Sequence, residues 1–173
     1  MAADFSITRR VQFAETDLAG VLHFANYFRY MEEVEHAFWR SMGLCVISPD
    51  GDRTISWPRV AVACEYFAPA HFENELDLRF RVMHVGSRSV GYEIEFVRDG
   101  QPIAVGKVTA VCCEMKESRF DPTEIPTAIR TKLLAAHQPA QSEPRPEGSG
   151  FSGPRASATG THKRELRSLK FEL

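Results

Sequence analysis

Residues 11–44 read VQFAETDLAGVLHFANYFRYMEEVEHAFWRSMGL, and the second half of this stretch repeats an apolar side chain every three or four positions. Phe24, Tyr27, Met31, Val34, Phe38 and Met42 form one stripe, which predicts a helix over 24–42. Gly43 follows as a C-terminal stop. Arg29, Glu32, Glu33, Glu35, His36 and Arg40 occupy other faces, yet Phe28, Tyr30 and Trp39 make the helix apolar around much of its girth. Such a helix needs wrapping by something larger than one neighbouring helix. The first half is different: Asp17, then Gly20 and an apolar dipeptide, then His23 at the expected helix start.

Outward from this stretch the periodicity changes. FSITRRVQF, residues 5–13, alternates loosely and predicts a strand. SPDGDRTIS, 48–56, reads as an irregular loop. Residues 58–68, 75–85, 87–98 and 101–116 are rich in Val, Ile, Phe and Tyr, and LDLRFRV and GYEIEFV exchange polar and apolar residues at nearly every step. Gly86-Ser87 and Asp99-Gly100 supply hairpin turns, and Pro69 and Asn74 break the wider gap. The order is strand, long helix, four antiparallel strands, an α+β arrangement. One helix cannot cover both faces of five strands, so an apolar outer face meeting another subunit is expected.

Composition bounds the rest. The chain has 173 residues and a formal net charge of −2, so no global field points to nucleic acid or an acidic membrane surface. No apolar run approaches the roughly 20 residues of a membrane span, and MAADFSITRR lacks a signal-peptide core, so a cytoplasmic location is expected. Cys45 and Cys64 stand alone and Cys112-Cys113 are adjacent, which gives no metal-ligand spacing and suggests buried free thiols. A short helix is expected at 124–137, completing a domain over 1–137. Residues 138–162 are rich in Pro, Gly, Ser and Ala and predict a disordered linker. KRELRSLKFEL, 163–173, predicts a short amphipathic segment.

The block from Asp17 through Gly20, His23 and Tyr27, with the following helix, EYFAPAHFENEL and the SRS of VGSRSVGYEIEF, resembles the hotdog-fold acyl-CoA thioesterases of the 4-hydroxybenzoyl-CoA thioesterase type. The resemblance covers roughly residues 5–118. It implies a hotdog fold, a long central helix wrapped by a five-stranded antiparallel sheet. It also implies homodimers joined sheet edge to sheet edge, often paired into homotetramers, with active sites at the dimer interface. It maps the catalytic aspartate onto Asp17 and the oxyanion donor onto the backbone N–H of Phe24, with Gly20 permitting the turn between them. His23, Asn26 and Tyr27 would contact substrate, and Arg88 and Ser89 would contact coenzyme A. Glu32 matches a helix acid that serves as a secondary candidate. No metal or other cofactor is implied, and the substrate would be an acyl-CoA or an acyl-carrier thioester.

The chemistry supports that assignment independently. A thioester carbonyl under attack develops negative charge on oxygen, and free N–H groups at a helix N-terminus suit it. A nearby carboxylate serves as nucleophile or as general base on water. Plainer roles stand beside these: Asp17 as turn former, Asn26 as cap, and Glu32 and Glu33 as solvated charges paired with His36 and Arg29 four residues away. A non-catalytic acyl-thioester binder would use the same pocket.

Overall fold

The computed structural model describes residues 5–117 and 119–137. The expected linker at 138–162 and amphipathic segment at 163–173 lie outside the described residues. Strand β1 (Phe5–Arg10) leads through a single 3-10 turn (Phe13–Glu15) to helix α1 (Phe24–Ser41). There follow β2 (Ile47–Asp50), β3 (Arg53–Ser56), β4 (Arg59–Tyr66), β5 (Glu75–Val85), β6 (Ser89–Arg98) and β7 (Gln101–Val111). The described chain closes with β8 (Cys113–Lys116), β9 (Arg119–Pro122) and α2 (Thr127–Ala136).

Five strands form one antiparallel sheet in the order β1-β5-β6-β7-β4. The β6–β7 hairpin is closed by Asp99 and Gly100, at φ 51° and 78°, the two left-handed residues that match a hairpin's twist. Leu76, Leu78, Phe80 and Val82 on β5, and Val90, Tyr92, Ile94 and Phe96 on β6, point inward and are buried. Against them lies α1, whose Tyr27, Tyr30, Met31, Val34, Phe38 and Trp39 are all buried. Helix and sheet approach closely at Gly106, where a Cβ would stand 2.5 Å from Met31 Sδ. α2 packs along β5 and buries Ile129 and Leu133.

Three expectations are corrected. Residues 48–56 are not an irregular loop: β2 and β3 pair as a hairpin, with Gly51 at φ 61° in the turn. Four-residue strands that include Pro49 and Asp50 and are joined by Gly51 and Asp52 are too short to display their period against so many turn formers. The stretch 101–116 is two strands, because the chain leaves the main sheet at Cys112 and enters a second sheet ordered β2-β3-β8-β9. The outer face of the main sheet is not apolar. It carries a charged ladder in which Arg79 meets Glu95 at 3.3 Å and Arg81 meets Glu95 at 3.5 Å and Glu93 at 3.9 Å. Glu93 stands opposite Lys107. Long polar side chains cover this face. An exposed apolar strip lies along β4 and just beyond it, where Val60 is 62% exposed and Val62, Tyr66 and Phe67 are also exposed.

Candidate functional site

Residues 15–23 form a tight hairpin ahead of α1. The His23 N–H donates to Glu15 O at 2.9 Å, Asp17 N–H to Val21 O at 2.8 Å, and Gly20 N–H to Asp17 O at 3.0 Å, while Thr16 and Leu22 face each other as a bridge. Gly20, at φ 74°, makes the turn possible. The Asp17 carboxylate is exposed, and its Oδ1 accepts from the N–H groups of Ala19 at 2.8 Å and Val21 at 3.3 Å. Asp17 is therefore the turn former that its residue type suggests. Oδ2 has no protein donor among the described residues. The hairpin is anchored from outside by Leu22 N–H donating to Ala70 O at 2.7 Å and by His71 Nδ1 lying 3.2 Å from Gly20 O. His71 had no assigned place in the sequence; its position follows from the Val21–His71 bridge.

The helix start is built beside this hairpin. His23 is the N-cap of α1, its Nδ1 accepting from Ala25 N–H at 3.2 Å, and its ring stacks on Phe24 at 4.4 Å. The Phe24 N–H finds no acceptor among the described residues. It is a free donor at the positive end of an 18-residue helix. Asn26 is not turned outward: its Nδ2 donates to Glu15 O at 2.8 Å, tying helix to hairpin. Tyr27 is a core residue, 4.9 Å from the Tyr66 ring and 5.1 Å from Phe96. Burial, and next the neighbouring Cys64, push its hydroxyl up to about 12. The corner thus brings together Asp17, Gly20, His23, Phe24 and Asn26.

One helical turn beyond Phe24 a cavity of about 390 Å³ opens between α1 and β4, lined by Phe28, Glu32, Glu35, Arg59 and Val62. Its polar wall is an ion cluster. Arg59 holds Glu35 Oε2 at 2.7 Å and Glu32 Oε1 at 3.3 Å, and His36 stands 3.8 Å from Glu32. Glu35 is only 1% exposed, and desolvation raises its carboxyl above the ordinary value despite the opposing pull of Arg59. Among the described residues its Oε1 has no hydrogen-bond partner, and neither does the core group Trp57 Nε1. The sequence put Glu35 with the charged faces of the helix and left Arg59 unplaced, because β4 starts 24 residues after Glu35 and nothing local joins them. Glu33 departs from its expected pairing: it meets Arg9 at 3.0 Å rather than Arg29.

Arg88 and Ser89 lie elsewhere. Both sit at the β5–β6 turn, which is held by Cys112 N–H donating to Arg88 O at 2.7 Å and Ile125 N–H to Ser87 O at 2.9 Å. Ser89 opens β6, whereas Phe96, which touches Tyr27, lies toward its end. At about 3.3 Å per residue these positions are roughly 23 Å apart. One protomer does not bring Arg88 to Asp17.

Among the described residues no cluster of His, Cys, Asp and Glu has metal-binding geometry, and no helix is long and apolar enough to cross a membrane. Burial raises the Cys64 and Cys112 thiols to about 11, which disfavours the nucleophilic thiolate.

Residues 11–133 match the family model described as the thioesterase-like superfamily. A candidate esterase of Aquifex aeolicus is 30% identical over 116 residues, spanning 67% of this chain and 88% of that protein. A 1,4-dihydroxy-2-naphthoyl-CoA hydrolase of Synechococcus sp. is 27% identical over 147 residues, spanning 79% and 95%. Among solved structures, a gentisyl-coenzyme A thioesterase superposes with a TM-score of 0.64 at 27% identity, covering 74% of this chain and 98% of the other.

Proposed function

The chain belongs to the thioesterase-like superfamily, with the hotdog fold, and from that membership we propose that it hydrolyses an acyl-CoA thioester at the corner between Asp17 and the start of α1. The observation that carries the proposal is the free Phe24 N–H at the helix N-terminus, across a short hydrogen-bonded hairpin from an exposed carboxylate. The thioester oxygen points at Phe24 N–H, which with the helix dipole stabilises the charge that develops there. Asp17 presents Oδ2, since Oδ1 is held by the Ala19 and Val21 amides. As nucleophile, Oδ2 bonds to the carbonyl carbon, the C–S bond breaks, the CoA thiolate departs, and water cleaves the resulting anhydride. As general base, it takes a proton from the attacking water. The acyl group occupies the cavity bounded by Phe28 and Val62, with Glu32 and Arg59 at its polar wall.

A second copy of the chain completes the site. β4 is an edge strand with no charge between Arg59 and Glu65, so nothing blunts edge-to-edge pairing there. Joining two sheets through β4 would cover Val60 and Val62 and bring the partner's surface against the open cavity. The partner is also the means by which an Arg88 at the far end of a sheet could reach coenzyme A bound near Asp17.

The test is hydrolysis of a panel of short, long, branched and hydroxylated aromatic acyl-CoAs, read by thiol release, with light scattering on the same sample. Turnover of at least one thioester by a dimer or tetramer is expected. The engagement of Asp17 Oδ1 in its own turn favours a second reading, a non-catalytic acyl-thioester binder. Saturable acyl-CoA binding without turnover would select it.

A further inference from the structure

We propose that Glu15 is the positioning residue of this site, setting the distance between Asp17 and the Phe24 amide without touching the substrate. The inference rests on the proposed roles of those two groups. Glu15 lies two residues before Asp17, and both its ends are committed. Its carboxylate accepts from Gln12 N–H at 2.8 Å and, through the same Oε2, from the Tyr30 hydroxyl in a very short contact. The other oxygen, Oε1, meets Arg9 at 2.8 Å. The Glu15 carbonyl accepts from His23 N–H at 2.9 Å and Asn26 Nδ2 at 2.8 Å. Glu15 therefore joins β1 through Arg9, the 3-10 turn through Gln12, the first turn of α1 through His23 and Asn26, and the second turn through Tyr30.

The consequence is geometric. Asp17 hangs from the first arm of the hairpin and Phe24 follows the last residue of the second. Sliding one arm past the other would move the carboxylate relative to the oxyanion donor. The His23–Glu15 bond is the outermost rung that prevents it, and the Glu15 side chain is what fixes that rung to the body of the protein. Tyr30 is buried and cannot move with the loop, and the Arg9 guanidinium lies 4.8 Å over the Tyr30 ring while also reaching Glu33 at 3.0 Å. These partners are rigid elements of sheet and helix, so the side chain works as a strut. A misplacement on the order of 1 Å in such a constellation costs about 10²-fold in rate, whereas remote substrate contacts are left intact. A purely structural acid would lower stability and leave turnover per folded molecule alone.

The experiment compares Glu15→Ala, Glu15→Gln and Tyr30→Phe in the full chain, using the acyl-CoA of the panel that the unaltered protein turns over fastest. Glu15→Ala is expected to lower kcat roughly 10- to 100-fold with KM changed less than about twofold. Glu15→Gln keeps an acceptor for Gln12 and Tyr30 and should recover most of that loss. Tyr30→Phe removes one bond and should lower kcat in the same direction by a few fold. Placed in an Asp17→Asn background, Glu15→Ala should add almost nothing, because the group it positions is already disabled. Hydrogen exchange should quicken at the Asp17, Val21 and His23 amides in Glu15→Ala and stay unchanged in β6. Full additivity with Asp17→Asn, or normal kcat in Glu15→Ala, overturns the proposal. If Glu15→Ala does not fold, normal kcat and unaltered exchange in Tyr30→Phe overturn it equally. A full rate in Asp17→Asn alone would instead remove the underlying assignment of Asp17, an outcome separable from the rest.

Discussion

Glu15 and Glu35 are each held by an arginine, and they are held differently. Glu15, 19% exposed, has both oxygens occupied by Arg9, Tyr30 and the Gln12 amide. Glu35, buried in the middle of the helix, gives both Arg59 contacts to a single oxygen, and its Oε1 has no hydrogen-bond partner among the described residues. A satisfied carboxylate at the surface fixes geometry at little cost. An incompletely satisfied one in the interior carries a desolvation penalty that its arginine only partly offsets. The first belongs to the hairpin that bears Asp17; the second lines the cavity beyond Phe28.

Breaking the interior pair is expected to have the largest effect. Arg59→Ala leaves Glu35 buried without its cation and should destabilise the fold by about 3–5 kcal/mol, measured by urea unfolding. A loss under about 1 kcal/mol would mean that the pair is solvated in the assembled protein.

Next in size is Asp17→Asn at the surface corner. It preserves the turn, because the side-chain carbonyl still accepts from Ala19 and Val21. Turnover should nevertheless fall by roughly 10² or more, about 2.7 kcal/mol of transition-state stabilisation. Comparable turnover would move the chemistry to Glu32, and Glu32→Gln run in parallel would then collapse.

Glu35→Gln sharpens the contrast further. Burial makes the folded protein hold the Glu35 proton more tightly than the unfolded chain does. Its protonation therefore stabilises the fold fully below the ordinary value of 4.5 and progressively less as pH rises through the folded value. The stability of the unaltered protein minus that of Glu35→Gln should decline over that rise. A difference that is flat or increasing with pH would show that Arg59 dominates over desolvation.

The smallest expected effect is at Arg88→Ala, which should raise KM for CoA esters severalfold with little change in kcat, since a contact remote from the carbonyl binds ground and transition states alike. An unchanged KM at low salt would leave Arg88 as a solvated turn residue.

Much of this was legible in the sequence. The 3.6-residue stripe from Phe24 to Phe38 gave α1, because a long amphipathic period is set by many residues at once. The Asp99-Gly100 turn was equally clear, since only a few residue types tolerate two successive left-handed conformations. The Asp17–Gly20–His23 corner was read through its resemblance to the thioesterase block, which is contiguous in sequence. β2, β3 and β9 were not legible: strands of four residues offer two inward positions each, too few to separate from a polar loop.

The sequence by itself determined the helix, the main strands, the turn at Gly20 and the residue types at the corner, all of which depend on local propensity and short-range periodicity. Only the tertiary structure decided that Glu15 meets Arg9 and Tyr30, that Glu35 is buried against Arg59, that the outer sheet face is a charged ladder, and that Arg88 stands at the far end of β6. Each depends on strand order and on which side of the helix meets the sheet. Those are set by the packing of the whole core, and no window of neighbouring residues contains them.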